Sequence, residues 1–79
     1  MNNHELMLEI NGYASAEGTN QFNQTLSSLR ALEVENYLVK RGVAPDRLIP
    51  QGFGTANPIA SNSTQEGREK NRRVEFSVR

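Results

Sequence analysis

Residues 62–76 read NSTQEGREKNRRVEF, and this stretch decides the fold because it joins a helix signal to a strand signal. Ser63 and Glu66 have the spacing of a helix capping box, which predicts one short helical turn. Four of the nine basic residues of the chain lie from Arg68 to Arg73, immediately before the strand. The stretch therefore predicts a short helix that brings a cluster of cations to the entrance of a strand.

The strand that ends the chain has the clearest pattern in the sequence. Val74, Phe76 and Val78 are apolar, and they alternate with polar residues that include Arg73 and Glu75. A period of two with one apolar face is typical of a half-buried strand. We predict that its apolar side faces inward and that Arg73 and Glu75 face solvent.

A second strand pattern lies near the amino terminus. Leu6, Leu8 and Ile10 alternate with Met7, Glu9 and Asn11. This alternation predicts a strand over roughly residues 5–11. The mostly small residues of 12–18 then predict a turn.

The longest predicted element is a helix over about residues 21–41. Thr19 or Asn20 can cap its beginning, and Gly42 is suited to its carboxyl-terminal cap. One side of the helix carries Leu26, Ala31, Val34, Tyr37 and Leu38, and another carries Phe22, Leu29, Leu32 and Val39. A helix that is apolar on two sides requires two neighbours. The pattern therefore indicates a sheet and, in addition, an element that is missing from this chain or supplied by a partner.

A weaker strand is predicted over residues 48–53. Pro50 has no N–H to donate to a ladder, so we place this strand at a sheet edge. The first strand, the long helix and this strand form a right-handed parallel crossover. The predicted fold is a single domain over residues 1–79 of the α/β (α+β) class. It is a two-layer sandwich in which a small mixed sheet is covered on one face by the long helix, in the order β-α-β-(short helix)-β.

The composition argues against several functional classes. Nine basic and nine acidic residues cancel, whereas nonspecific nucleic-acid binding depends on net positive charge, so we expect no nucleic-acid partner. The chain has no cysteine, and its single histidine, His4, lies in the amino-terminal segment. We therefore predict no metal site, no cofactor, no catalytic residues and no enzymatic activity. No apolar run approaches the ~20 residues that span a bilayer, so we expect no membrane contact by this segment itself.

Arg30 is the first candidate for binding. On a helical wheel it lies between Leu26 and Val34, in the sector that faces the sheet. A guanidinium in that place requires an opposite charge. The residues leave two alternatives open: an intramolecular pair with Glu33 or Glu17, or a clamp for the carboxylate of a ligand, which arginine binds with two parallel hydrogen bonds.

Two further groups lie at the ends of strands. Ser15 and Glu17 belong to the turn between the first strand and the long helix, where ligands of α/β units gather beside helix N–H groups. A plain connector with solvated side chains explains the same residues. The run Asn71-Arg72-Arg73 is either a solvated charge cluster or part of an anion site, and the direction of Arg72 is left open by the alternation.

The chain as a whole resembles the OmpA-like C-terminal domain, a family also found in outer-membrane lipoproteins and flagellar motor stator proteins. The resemblance covers about residues 6–78 and rests on the order and spacing of Gly12, Leu26-Ser27, Arg30-Ala31, Val34, Tyr37-Leu38, Gly42-Val43, Arg47-Leu48, Gly52, Gly54, Pro58, Asn62, Thr64, Gly67-Arg68 and Asn71 to Glu75. It implies a noncovalent peptidoglycan-binding module in the periplasm, as part of an outer-membrane or envelope-associated protein. In that family a turn aspartate and a helix arginine hold the diaminopimelate of the stem peptide. The resemblance places Arg30 and Arg72 in this site, with Ser15, Glu17, Gly18 and Asn71 around them.

The chain departs from the family pattern in two ways. Ser15 stands where the family has its turn aspartate, so either Glu17 supplies the anion or Ser15 makes a weaker neutral hydrogen bond. The family's first strand and first helix are also missing, which leaves a strand edge and an apolar helix side open to self-association. A scaffold that self-associates or binds a protein partner without binding peptidoglycan is therefore the alternative function.

Overall fold

The computed structural model describes residues 6–79. Its elements, in chain order, are β1 (Leu8–Gly12), α1 (Asn20–Lys40), a 3-10 turn (Pro45–Arg47), β2 (Leu48–Gly52), α2 (Gln65–Asn71) and β3 (Val74–Val78). The predicted order of strands and helices is confirmed, with the 3-10 turn as an addition. His4 and the predicted start of the first strand at Glu5 lie outside the described residues.

The three strands form one mixed sheet in the order β2-β1-β3. β1 runs parallel to β2 and antiparallel to β3, and Ile10 lies opposite both Pro50 and Phe76. β2 is an edge strand, as the missing N–H of Pro50 predicts. The predicted fold class, a small mixed sheet with one long helix on one face, is confirmed.

The ends of α1 are capped as the sequence predicts. The Thr19 side chain accepts a hydrogen bond from the Phe22 N–H at 3.0 Å, and Gly42 adopts a left-handed conformation with φ +99°. The cap predicted for the second helix is wrong by one residue. Thr64, and not Ser63, accepts the Gly67 N–H at 3.0 Å, because the Ser63 hydroxyl is paired with Ser61.

The core lies where α1 crosses β1 and β2, around Ile10, Ala31 and Leu48. The helix approaches the sheet closely because Gly12 presents no side chain. A Cβ on Gly12 would collide with the carbonyl oxygen of Ser27. This close packing fixes the height of α1 above the carboxyl end of β1, where the next turn begins.

The prediction that the apolar side of β3 faces inward is wrong for two of its three residues. Val74 packs against the core, whereas Phe76 is 53% exposed and Val78 is 69% exposed. The reason is the position of α1, which lies over β1 and β2 and leaves β3 uncovered on the same face of the sheet. Tyr37 was likewise predicted to face the sheet and is exposed.

Candidate functional site

The turn after β1 is held rigidly between two other segments. The Tyr13 N–H donates to the carbonyl of Arg73 at 2.9 Å, and the Ala14 N–H donates to the carbonyl of Gly54 at 2.7 Å. These bonds continue the sheet beyond the strand ends, so residues 13–15 have a defined position between β3 and the loop after β2. Side chains on this turn are therefore presented from a fixed backbone.

Within the turn, Ser15 positions the carboxylate of Glu17. Ser15 is 4% exposed, and its hydroxyl donates to Glu17 Oε1 at 2.6 Å. The Glu17 side chain remains about half exposed. Gly18 then turns the chain into α1 with φ +75°, a left-handed conformation that strongly favours glycine.

Two arginines from the α2 region converge on the same carboxylate. Arg72 Nη1 lies 3.0 Å from Glu17 Oε1 and also donates to the Ser15 hydroxyl at 3.3 Å. Arg68 Nε lies 3.7 Å from the same oxygen of Glu17, and its Nη1 donates to the carbonyl of Asn62 at 3.1 Å. The direction that the sequence left open for Arg72 is thus toward the turn. Arg68 was not among the predicted site residues, although its four-residue spacing from Arg72 places both on one side of a helix.

The environment of Glu17 lowers the pKa of its carboxyl group below the ordinary value of 4.5. The hydrogen bond from Ser15 is the largest cause. Desolvation comes next and raises the pKa, and the positive charges of Arg68 and Arg72, with the hydrogen bond from Arg72, lower it further. A carboxyl group whose pKa is lower in the folded state stabilises the fold above its unfolded pKa. That contribution is lost as the pH falls through the folded pKa.

We expect Glu17→Gln to lower the melting temperature at pH 7, and we expect the difference from the wild type to shrink as the pH falls below 4.5. Thermal unfolding followed by circular dichroism from pH 7 to about pH 3 measures this difference. Glu33→Gln is the matched control, because Glu33 is exposed on α1 and makes no ion pair within residues 6–79. A difference for Glu17→Gln that stays constant with pH would contradict this electrostatic role.

Arg30 reaches the turn from the long helix α1. Its Nη1 donates to the carbonyl of Tyr13 at 3.2 Å, and the side chain is half-buried. Of the two alternatives left open by the sequence, the intramolecular pair is not formed: within residues 6–79 Arg30 makes no ion pair, and Glu17 pairs with Arg68 and Arg72 instead. The Arg30 guanidinium therefore adds positive charge beside the turn without an acidic partner in the described part of the chain.

Asn71 holds the loop that supports the turn. Its Oδ1 accepts the N–H groups of Ile59 and Ala60 at 2.8 and 3.0 Å, and its Nδ2 donates to the Ala60 carbonyl and to Asn62 Oδ1 at 3.0 and 2.9 Å. Asn62 Oδ1 in turn accepts the N–H of Ala16 in the turn at 3.1 Å. Asn71 is 1% exposed, so a ligand would reach it only by breaking these bonds. We place Asn71 among the supporting residues of the site.

Arg73 has a different role from the one that the alternation predicts. It lies on the predicted side of β3, but its side chain is only 13% exposed. The guanidinium stacks over the ring of Tyr13 at 3.9 Å and donates to the carbonyl of Asn57 at 2.8 Å. The other neighbour of the Tyr13 ring is Phe53, with 5.5 Å between ring centroids. Arg73 is therefore covered by the loop after β2, and the prediction of a solvated side chain is wrong.

The turn combines positively and negatively charged side chains. Arg30, Arg68 and Arg72 place three guanidinium groups around residues 13–17, and Glu17 is the acidic partner of Arg68 and Arg72. Arginine binds carboxylates with strong, directional hydrogen bonds, and a carboxylate attracts an ammonium group. Within residues 6–79, no group of three or more histidine, cysteine, aspartate or glutamate side chains is placed to hold a metal ion. No helix in the same range is both long enough and apolar enough to cross a bilayer.

Comparison with known proteins gives consistent matches. The chain is 55% identical over 69 residues to the peptidoglycan-binding protein ArfA of Mycobacterium tuberculosis. The aligned region covers 87% of this chain and 21% of ArfA. It is 48% identical over 67 residues to outer membrane protein A of Bordetella avium, and the aligned region covers 85% of this chain and 34% of that protein. The crystal structure of the C-terminal domain of Helicobacter pylori MotB has the same fold. It matches with a TM-score of 0.85 and 31% sequence identity over 94% of this chain and 57% of that chain.

The chain thus spans between a fifth and about a third of the length of these two curated relatives. The family model that matches it is the OmpA family, over residues 1–72. This match and the shared architecture confirm the resemblance seen in the sequence. The chain belongs to the OmpA family.

Proposed function

We propose that this chain is a noncovalent peptidoglycan-binding domain that anchors a cell-envelope protein to the wall from the periplasm. Family membership and the 55% identity to a protein named as peptidoglycan-binding support this function. The names of other relatives refer to outer-membrane proteins, which supports an envelope location. In this proposal the domain acts by binding and not by catalysis, in line with a relative that is named for peptidoglycan binding.

The observation that carries the proposal is the convergence of two arginines from distant elements on one turn. Arg30, from α1, donates to the Tyr13 carbonyl, and Arg72, at the end of α2, donates to the Ser15 hydroxyl. Arg30 makes no ion pair within residues 6–79, although a half-buried guanidinium gains from a carboxylate partner. A ligand carboxylate beside the turn would supply that partner.

The ligand we propose is the diaminopimelate residue of the peptidoglycan stem peptide. Its side-chain end carries an ammonium group and a carboxylate on one carbon. Arg30 and Arg72 bind the carboxylate, and Glu17 receives the ammonium. Backbone N–H groups near Gly18, at the positive end of α1, bind the remaining carboxylate oxygen.

Glu17 compensates for the serine at the position of the family aspartate. The Ser15 hydroxyl holds Glu17 Oε1 at 2.6 Å, so the carboxylate is fixed close to the turn position that Ser15 occupies. The Ser15 hydrogen bond and the charges of Arg68 and Arg72 lower the pKa of this carboxyl group below its ordinary value, so the group is negatively charged at neutral pH. Ser15 and Glu17 together then provide the negative charge that a single aspartate would otherwise provide.

An NMR titration of the 15N-labelled protein with free diaminopimelate tests this site. We expect chemical-shift changes clustered at residues 12–19 and at Arg30, and we expect weaker changes with lysine, which lacks the second carboxylate. Equal changes with both amino acids would contradict the diaminopimelate specificity. No change at these residues with either amino acid, together with no pull-down by purified sacculi, would contradict peptidoglycan binding through this site.

A second candidate function is favoured by one observation. Phe76 and Val78 are exposed on the face of the sheet that carries the core, which is typical of a surface that another protein covers. A scaffold that self-associates without binding peptidoglycan would explain this exposure. Failure of the sacculus pull-down by a folded protein that forms a tight dimer would favour this second function.

A further inference from the structure

Arg68 lies at the turn but takes no part in the proposed contacts with diaminopimelate. It is a neighbour of Arg72, because Arg68 Nε and Arg72 Nη1 lie 3.7 and 3.0 Å from the same atom, Glu17 Oε1. A second contact holds the Arg68 side chain in place, since its Nη1 donates to the carbonyl of Asn62 at 3.1 Å. Arg68 is therefore a positioned cation beside the group that we propose binds the ligand carboxylate.

The Arg68 guanidinium retains hydrogen-bond donors for a ligand. Its Nε lies 3.7 Å from Glu17 Oε1, which is too long for a hydrogen bond, and its Nη1 is used by Asn62. Within residues 6–79 the N–H groups of Arg68 Nη2 have no acceptor. The side chains of Arg68 and Arg72 are 28% and 30% exposed, so a ligand that contacts Arg72 also has access to Arg68.

The charges around the turn do not balance. Arg30, Arg68 and Arg72 bring three positive charges, and the one carboxylate that contacts any of them in the described part of the chain is Glu17. The turn region thus has more positive than negative charge. The side-chain end of diaminopimelate is neutral, because it carries one ammonium group and one carboxylate, and it leaves this excess in place. A ligand with a further carboxylate is complementary to the turn.

We infer that Arg68 binds a second carboxylate of the stem peptide, on the residue that precedes diaminopimelate. That residue is a glutamate joined to diaminopimelate through its side chain, so its α-carboxylate is free unless it is amidated. Arg68 distinguishes the free acid from the amide, since a guanidinium forms charge-assisted hydrogen bonds with a carboxylate and only weaker bonds with the neutral oxygen of an amide. The inference rests on the proposed binding of diaminopimelate at the turn, and it adds the chemistry of the neighbouring residue.

The positions of the three arginines suit one ligand with two carboxylates. Arg30 and Arg72 contact the turn at Tyr13 and Ser15, which are two residues apart. Arg68 lies next to Arg72, and the two carboxylates of the peptide are joined by a flexible chain of methylene groups and one amide. Glu17, which Arg68 and Arg72 share, offsets the repulsion between these two cations in the free protein.

Two synthetic tripeptides that differ in one group test this inference. Alanyl-γ-D-glutamyl-diaminopimelate has the free α-carboxylate, and alanyl-D-isoglutaminyl-diaminopimelate has an amide in its place. We expect the free acid to bind the unmodified chain roughly tenfold more tightly in isothermal titration calorimetry, which is the effect of one charge-assisted hydrogen bond. This comparison changes the ligand alone, so it does not depend on the folding of any variant.

Arg68→Gln assigns the preference to one side chain. The variant should bind the free acid as weakly as the amide, and its affinity for the amide should stay close to that of the unmodified chain. Lys70→Gln is the control, because Lys70 is an exposed cation of the same helix that makes no ion pair within residues 6–79. It should retain the preference for the free acid. Circular dichroism establishes that both variants are folded.

The outcomes separate this inference from the proposed function. Equal binding of the two tripeptides by the unmodified chain would overturn the role of Arg68 and leave binding of the stem peptide intact. A preference for the free acid that persists in folded Arg68→Gln protein would also overturn it, since another group would then contact the carboxylate. Binding of neither tripeptide would contradict the proposed function itself, and the inference with it.

Discussion

Replacing Arg30 with alanine is expected to abolish pull-down of this protein by purified peptidoglycan sacculi, while the circular dichroism spectrum stays unchanged. The fold depends little on Arg30, since its described polar contact is one hydrogen bond to the Tyr13 carbonyl at 3.2 Å. The proposed ligand depends on it strongly, because removal of one partner from a desolvated charge pair costs about 2–5 kcal/mol of binding free energy. A loss of that size weakens affinity by roughly 30-fold or more.

Arg41→Ala is the matched control for this experiment. It removes the same side chain at the carboxyl-terminal end of α1, where Arg41 stacks over Tyr37 at 3.8 Å. Because this end lies away from the turn, Arg41→Ala should retain sacculus binding. Arg30→Lys adds a further distinction, since lysine keeps the charge without the paired donors of a guanidinium and should bind weakly. Undiminished pull-down by folded Arg30→Ala protein would remove Arg30 from the site.

The largest effect on stability is expected for Asn71→Ala. The substitution leaves two partly buried N–H groups, one carbonyl and the Asn62 side chain without the partner that Asn71 provides. Each unsatisfied buried polar group costs about 1–3 kcal/mol, and water entering the space left by the side chain offsets part of the sum. We therefore expect a loss of about 3 kcal/mol or more in the free energy of unfolding, measured by urea denaturation. The free energy of unfolding of a domain of this size is only about 5 kcal/mol, so we expect part of the Asn71→Ala protein to be unfolded at 25 °C without denaturant.

Two further variants give this prediction its controls. Asn36→Ala makes the same chemical change at an exposed position of α1 and should alter stability by no more than about 0.5 kcal/mol. Asn71→Asp retains the acceptor for Ile59 and Ala60 and loses the two donated bonds, so its stability should lie between wild type and Asn71→Ala. If Asn71→Ala unfolds at the same urea concentration as the wild type, the loop is not held by this side chain.

The effect of Asn71 should extend to binding. Asn71 holds Asn62, and Asn62 accepts the N–H of Ala16 in the turn. Loosening the loop therefore releases one of the bonds that fix the turn. The two variants are distinguished by measuring both sacculus binding and stability. Arg30→Ala should lower binding with the fold intact, whereas Asn71→Ala should lower binding and stability together.

The sequence by itself determined the elements of this protein and their order. Alternation marked the strands, and Thr19 and Gly42 marked the ends of the long helix, because such signals arise between residues that are neighbours in the chain. Pro50 predicted an edge strand for the same reason, since a missing N–H is a property of one residue. The resemblance to the OmpA-like domain and the choice of Arg30 and Arg72 as site residues also came from sequence.

Only the tertiary structure decided how these elements are covered and which charges meet. Glu17 and Arg72 are 55 residues apart in sequence, and no periodicity predicts that they share a hydrogen bond. Arg73 has the alternation of a solvent-facing residue, yet a loop from elsewhere in the chain covers it. Phe76 and Val78 have the alternation of core residues, yet they remain exposed because α1 lies over the other two strands. A strand pattern specifies that one face is apolar, whereas burial depends on where a distant helix comes to lie, and that position follows from the packing of the whole fold.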